Sequence, residues 1–281
     1  MSATAILRGA AGLALGAALL TATPASANFL TYTFDDPVTL SPTQAPGTWY
    51  TDRYAPNGFA APVSFGGDNR LKVTISSADS AANRPPAFSS AFYNTQGRKL
   101  DTPGSTWMSI DLYVPTAWNP AGTNNPPNQR LAGFWGTAFD GSNAISGFPI
   151  IEFTTSAQEG ANDGTGARFR GWDNATGTWT SMGLPTGFTY DSWYTLQISL
   201  DQVADKFVYQ VGDLTLLTDA FGSNQIGNVI LQAHNLGTGY DVYWDNLKVA
   251  EPHGLAAIGL GLLGLFALRR RDGAAATPAA A

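Results

Sequence analysis

No cysteine occurs in the 281 residues, and there are only two histidines, His234 and His253. Disulfides, thiolate zinc sites, iron–sulfur clusters and a cysteine nucleophile are therefore excluded. A multi-histidine metal site cannot be built either. Residues 28–249 hold only two glutamates, Glu152 and Glu159. A catalytic pair such as Glu-x-Asp-x-x-Glu needs acids at i and i+2 on a strand, so that both face one sugar bond. The stretch Ile150-Ile151-Glu152-Phe153-Thr154-Thr155 has no second acid, so that motif is absent. Basic side chains are also few: 28–249 carries 11 Lys and Arg against 19 Asp and Glu, a balance of −8. An acidic surface argues against nucleic acid as a partner.

What is present reads as strands. Leu71, Val73 and Ile75 alternate with polar residues, as do Met108, Ile110, Leu112 and Val114, and Tyr194, Leu196, Ile198 and Leu200. A period of two over six or more residues marks a half-buried strand. Further strands are expected at Leu131–Ala138, Pro149–Thr155, Ala167–Asp173, Lys206–Val211, Val229–His234 and Val242–Val249. Turn residues separate them, and no fixed-period repeat is present. The fold class is all-β, an antiparallel sandwich.

Short motifs sharpen this. Phe34-Asp35-Asp36, Asp191-Ser192-Trp193-Tyr194-Thr195-Leu196, Asp205-Lys206-Phe207-Val208-Tyr209 and the closing Tyr243-Trp244-Asp245-Asn246-Leu247-Lys248-Val249 stand in this order. Together they resemble the concanavalin A-like (laminin-G-like) jelly roll. That fold hosts lectins, hydrolases, lyases and adhesins alike, so the resemblance implies architecture more than activity.

The two ends carry addresses. Residues 1–27 have Arg8, an apolar run from Ala10 to Leu20 and the small-x-small ending Ala25-Ser26-Ala27, the pattern of a signal peptide cleaved before Asn28. At the other end Glu251-Pro252 leads into an uncharged stretch, 252–268, and then Arg269-Arg270-Arg271. As a helix that stretch is about 25 Å long, a short transmembrane helix held by arginines on the cytoplasmic side. The tripartite tail, 250–271, resembles the PEP-CTERM sorting signal of Gram-negative bacteria, with Ala250 where the motif's first proline stands. An Ala-rich tail, 272–281, follows. The resemblance implies handling by the secretion translocon and then an exosortase-like sorting enzyme. It also implies anchoring in the inner membrane, at least transiently, and a final place on the cell surface or outside the cell. In that family sorting accompanies exopolysaccharide production.

Three groups of residues could carry chemistry. Trp118, Trp135, Trp172 and Trp179 lie in or beside loops, and Trp172-Asp173-Asn174 joins a ring to short hydrogen-bonding groups. Exposed indoles stack on pyranose faces, so these residues are candidates for polysaccharide binding, although loop tryptophans also plug sandwich ends. Glu152, Arg168, Arg170 and His234 are the raw materials of a polysaccharide lyase or glycoside hydrolase if their strands adjoin. The same residues serve equally as a paired polar sheet face. Asp35, Asp36 and Asp245 would share a site if the first and last strands are neighbours, and could then ligate a structural calcium ion. The expectation is an exported, non-catalytic carbohydrate-binding or structural module, with the enzyme as the alternative.

Overall fold

A computed structural model describes residues 28–120, 130–155 and 166–251. The expected signal peptide with Ala25 and Ala27, the apolar stretch from Pro252, Arg269-Arg270-Arg271 and the Ala-rich tail lie outside the described residues. Among the described residues no helix is long and apolar enough to cross a membrane.

The first strands in chain order are β1 (Phe29–Tyr32), β2 (Leu40–Ser41), β3 (Trp49–Thr51), β4 (Gly58–Phe65), β5 (Asp68–Ile75) and β6 (Thr95–Ser105). Next come β7 (Trp107–Val114), β8 (Leu131–Trp135), β9 (Ala138–Asp140), β10 (Ile145–Gly147), β11 (Ile150–Thr154) and β12 (Arg168–Asp173). The remainder are β13 (Thr178–Gly183), β14 (Ser192–Asp201), β15 (Lys206–Val211), β16 (Leu214–Asp219), β17 (Ser223–His234) and β18 (Tyr240–Ala250). One sheet runs β16-β15-β14-β7-β18-β5-β4, with β1 beside β18. The other runs β13-β12-β11-β8-β17-β6-β3-β2, with β9 and β10 attached. Pairing is antiparallel apart from β2 on β3. The protein is thus an antiparallel β-sandwich.

Every strand expected from the sequence forms, although Leu131–Ala138 divides into β8 and the start of β9. Alternation sends one set of side chains into a single core. Ile110, Leu112, Leu196, Ile198, Phe207 and Trp244 come from the first sheet and Phe134, Phe153, Phe169 and Leu231 from the second. Truncating one of these rings would cost about 3–5 kcal/mol.

A second, smaller apolar cluster forms on the outer face of the second sheet: Trp135, Ile150 and Ile230, with Trp172 and Trp179 packed against it. Between β5 and β6 the chain makes three short 3₁₀ turns, Ser77–Asp79, Pro86–Phe88 and Ala91–Asn94. Buried Arg84 staples this excursion, donating to the Tyr93 carbonyl and to Asn94 Oδ1. Phe92 is held by the excursion beside the outer-face cluster, where Arg53 bridges the two.

Candidate functional site

The outer face of the second sheet is built in rows by strand register. One row joins Ile150, Trp135, Ile230, Lys99 and Tyr50 across β11, β8, β17, β6 and β3. The next joins Arg170, Glu152, Gly133, Gln232 and Gly97. A third holds Arg168 opposite Thr154, and His234 opposite Thr95.

Two glycines set the depth of the middle row. A Cβ on Gly133 would lie 2.7 Å from Gln232 Nε2, and one on Gly97 would lie 2.5 Å from the Leu231 carbonyl oxygen. With no side chain on either side, Gln232 lies low and the floor opens. The result is a cavity of about 320 Å³. Its walls are aromatic: Trp135, Phe148, Trp172 and Trp179, with Ile150 between them. Trp172 and Trp179 meet edge to face at 5.2 Å. The polar lining is Arg53, Thr95, Gln232 and His234.

Two polar atoms in this lining are buried and make no hydrogen bond among the described residues: Trp135 Nε1 and Gln232 Oε1. Their residues are 3% and 4% exposed. A buried unpaired donor or acceptor costs about 1–3 kcal/mol, so each calls for a partner, whether water or a ligand. One is a donor and the other an acceptor, which is the complement of a hydroxyl group.

Arg53 stands at the rim. Its guanidinium carbon is 5.1 Å from the Trp135 ring centre and 4.6 Å from that of Phe92. Nη1 donates to Thr95 Oγ1 at 3.2 Å, and Nε is 3.7 Å from Asp52. Burial pushes the Asp52 carboxyl upward, while Arg53 and Lys99 pull it back. Thr95 Oγ1 also meets His234 Nε2 at 2.7 Å, which fixes the imidazole in the wall.

The structure sorts the sequence candidates. Trp135, Trp172 and Trp179 share the cavity. Trp118 does not: it is 2% exposed and belongs to the main core, 5.9 Å from Phe153 and 5.8 Å from Tyr240. It is a packing residue, because the turn Thr116–Trp118 points its ring inward between the sheets. Asp173 and Asn174 do not line the cavity. Asp173 accepts from Ala175 N and Thr176 Oγ1 within its own turn. Asn174 accepts from Phe148 N at 2.8 Å and donates back to its carbonyl, so it positions the Phe148 wall.

Glu152, Arg168, Arg170 and His234 do share one sheet face. They do not form an open catalytic groove. Glu152 and Arg170 are fully buried against each other, Nε and Nη2 both 2.6 Å from Oε1, and the Trp179 ring lies 4.2 Å from the guanidinium. Arg168 is buried and donates to the Gly166 carbonyl.

Strands β1 and β18 are neighbours, as the terminal-acid argument requires. The donor set nevertheless does not fit a divalent ion. Asp245 is held by Arg70 Nη1 at 2.7 Å, which supplies the positive charge itself, and Asp35 accepts from Asn69 Nδ2. No group of three His, Cys, Asp or Glu suited to a metal is found among the described residues. A cleft of about 220 Å³ beside Asp35 and Asp36 holds none of the buried unpaired polar atoms.

Arg53, Thr95, Phe148, Ile150 and Gln232 escaped the sequence reading. Each comes from a different strand or loop, and only the register brings them together.

No family model and no curated protein matches the chain. Among solved structures it is similar to a sialidase (10% identity, TM-score 0.41), over 73% of this chain and 17% of that one. It therefore spans about a sixth of the sialidase's length. It is also similar to the Bacillus licheniformis β-glucanase (12% identity, TM-score 0.44), over 81% of this chain and 100% of the other. Peanut lectin is similar at 13% identity and TM-score 0.39, over 80% and 100%.

Proposed function

We propose that this chain is an exported carbohydrate-binding protein whose sandwich is a concanavalin-like jelly roll and whose ligand sits in the cavity of the second sheet. One observation carries the reading: an aromatic-walled cavity whose lining residues Trp135 and Gln232 carry a buried unpaired donor, Nε1, and a buried unpaired acceptor, Oε1. Aromatic walls suit the apolar face of a pyranose, whose hydroxyls both donate and accept hydrogen bonds. The reading is non-catalytic because Glu152 is committed to Arg170 inside the protein. The signal peptide and the PEP-CTERM-like tail give this binding its setting, an inner-membrane intermediate and then the cell surface or matrix.

A glycan array probed with the purified protein tests the proposal, alongside assays for reducing ends and for unsaturated uronates. Binding without product is the expected result. Product formation would replace it with the lyase or hydrolase, and absence of any bound glycan would leave a structural surface protein. Terminal sequencing of the exported protein checks the address: a mature start at Asn28 is expected.

A further inference from the structure

One end of the sandwich carries an apolar surface that has no part in the cavity. Strand register gathers three turns there: the β9–β10 hairpin, the β14–β15 turn and the β16–β17 turn. Asp140 pairs with Ser223, Asp201 with Lys206, and Lys206 with Asp219. Hydrogen bonds then join the turns. Ala220 N donates to the Asp205 carbonyl at 3.1 Å, Gln202 Nε2 donates to the Asn224 carbonyl at 2.7 Å, and the Ser146 and Ser223 hydroxyls meet at 2.7 Å. Each turn exposes one large apolar side chain: Ile145 is 59% exposed, Val203 100% and Phe221 49%.

A single exposed apolar residue is ordinary, but these three stand on joined turns that carboxylates hold in shape. Asp140 Oδ1 accepts from Ser142 N and Ala144 N, both at 2.9 Å. Asp201 Oδ1 accepts from Val203 N at 3.0 Å and Ala204 N at 2.9 Å, and Asp205 Oδ1 from Gly222 N at 2.8 Å. Phe221 has a φ of 53°, a left-handed backbone that a bulky residue seldom adopts. Folding gains little from an exposed ring on a strained backbone, so the combination points to a function.

The chain leaves the sandwich at the same end. Val249 pairs with Met108, and Glu251 N donates to the Asn28 carbonyl at 2.8 Å. Glu251 shares a cleft with Gln202, Asn224 and Gln225 of the joined turns. The uncharged stretch 252–268 begins at the next residue, with no linker between. A membrane span beginning there keeps this end of the sandwich within a few residues of the lipid.

We propose that Ile145, Val203 and Phe221 enter the surface of a zwitterionic bilayer and seat this end of the sandwich on it. The inference rests on reading 252–268 as a membrane span. It adds a second, peripheral contact that fixes the orientation of the domain. The same turns carry Asp140, Asp201 and Asp205, so apolar burial rather than headgroup charge supplies the attraction. Strand β17 runs from Ser223 at this end to His234 in the cavity lining, roughly 35 Å at the rise of an extended strand. The seated protein thus holds the His234 side of the cavity away from the lipid.

The lack of native cysteine allows labelling at one chosen site. The full-length protein is reconstituted into phosphatidylcholine vesicles whose lipid carries a nitroxide high on the acyl chain. A fluorophore is attached at Ala144→Cys, at Ala204→Cys or, at the opposite end, at Ala117→Cys in the exposed turn after β7. Labels at 144 and 204 should be strongly quenched, and the label at 117 should not. Ile145→Ser, Val203→Ser and Phe221→Ser combined should remove most of that quenching while the chain still floats with the vesicles. All three residues are exposed, so the melting temperature should hold. Val203→Ser alone, at a fully exposed site, should reduce quenching at 204 in the same direction.

Unquenched labels at 144 and 204 on a chain that floats with the vesicles would overturn the inference and leave the span intact. Equal quenching at 117 would do the same. So would quenching that survives the triple substitution, because the tail alone would then hold the domain down. A chain that does not float with the vesicles would overturn both the span and the inference.

Discussion

Arg170 faces Glu152 directly across the β11–β12 pair, and both Nε and Nη2 close on one carboxylate oxygen at 2.6 Å. Neither side chain is exposed to solvent. Removing one partner of such a pair strands the other charge in the interior. Glu152→Gln is therefore expected to cost about 3–5 kcal/mol in denaturant unfolding. Replacing both residues together by Met should cost much less than Glu152→Gln alone. A catalytic Glu152 predicts the opposite pattern, with folding intact and product formation lost.

This pair also marks where sequence reasoning stops. The period of two placed Arg168 and Arg170 on one face of a strand, because alternation is local to each strand, and left Glu152 to share that face only if its strand adjoined. It carried no information on register, and register decides that Glu152 and Arg170 meet and neutralise each other. The same limit applies to Gln232, whose neighbours Gly133 and Gly97 lie about a hundred residues or more away in the chain. Strands β4 and β6 were not expected. β4 holds Pro62, and β6 reads Thr-Gln-Gly-Arg-Lys-Leu-Asp-Thr-Pro-Gly-Ser, with Leu100 as its one large apolar side chain. Their formation depends on pairing with β5, β3 and β17 rather than on their own pattern. Trp118 was misplaced because a turn tryptophan reads as exposed until the packing against Phe153 is seen.

Gln232→Met separates binding from stability. The substitution keeps the length of the side chain and removes a buried acceptor that has no partner. Exchanging an unsatisfied polar group for an apolar one of similar shape is close to neutral or stabilising. The melting temperature should hold or rise while affinity for the glycan falls, by about 1–3 kcal/mol on the scale of a lost buried hydrogen bond. A marked loss of stability instead would assign Gln232 to the scaffold.

The two glycines beside Gln232 should respond differently to alanine. At Gly97 the new methyl group would meet the Leu231 carbonyl at 2.5 Å and the Gln232 backbone at 2.9 Å. Backbone cannot step aside, so Gly97→Ala should destabilise by about 1–3 kcal/mol. At Gly133 the first atom met is Gln232 Nε2, the mobile end of a side chain. Gly133→Ala should therefore lift the carboxamide into the cavity, with a smaller stability loss and a clear drop in affinity. Paired unfolding and binding measurements on the two variants check this contrast.

Acid should weaken the fold through its turn aspartates. Asp191 accepts from Thr116 N, from Thr116 Oγ1 and from Tyr113 Oη, and these bonds hold its carboxyl below the ordinary value. Asp213 is lowered in the same way by Thr186, and Asp140 by Ser142 and Ala144. A carboxyl lowered by folding stabilises the native state above its unfolded value, about 3.9, and that contribution disappears as pH falls through the folded value. Stability should drop below about pH 4. Asp191→Asn should lower stability at neutral pH and flatten this acid limb, so that mutant and wild type converge at the lowest pH. Parallel curves at every pH would show that ionisation of Asp191 has no part in it.

Arg70 on β5 ties its strand to β18 through Asp245. Its Nη1 is 2.5 Å from Asp68 and 2.7 Å from Asp245, whose side chain is almost wholly buried. Burial raises the Asp245 carboxyl, with Asp68 and Asp111 adding to the rise, while the Asn246 backbone and Arg70 oppose it. A single fixed cation thus offsets a cluster of acids, and a divalent ion at the same place would meet that positive charge. Chelator is expected to leave the melting temperature unchanged. Arg70→Met should lower it sharply, because Asp245 would then keep its burial and lose its cation. Millimolar calcium should restore part of that loss if the carboxylates can close on the ion once the guanidinium is gone. A chelator-sensitive melt of the unmodified protein would instead return Asp35, Asp36 and Asp245 to the role of metal ligands.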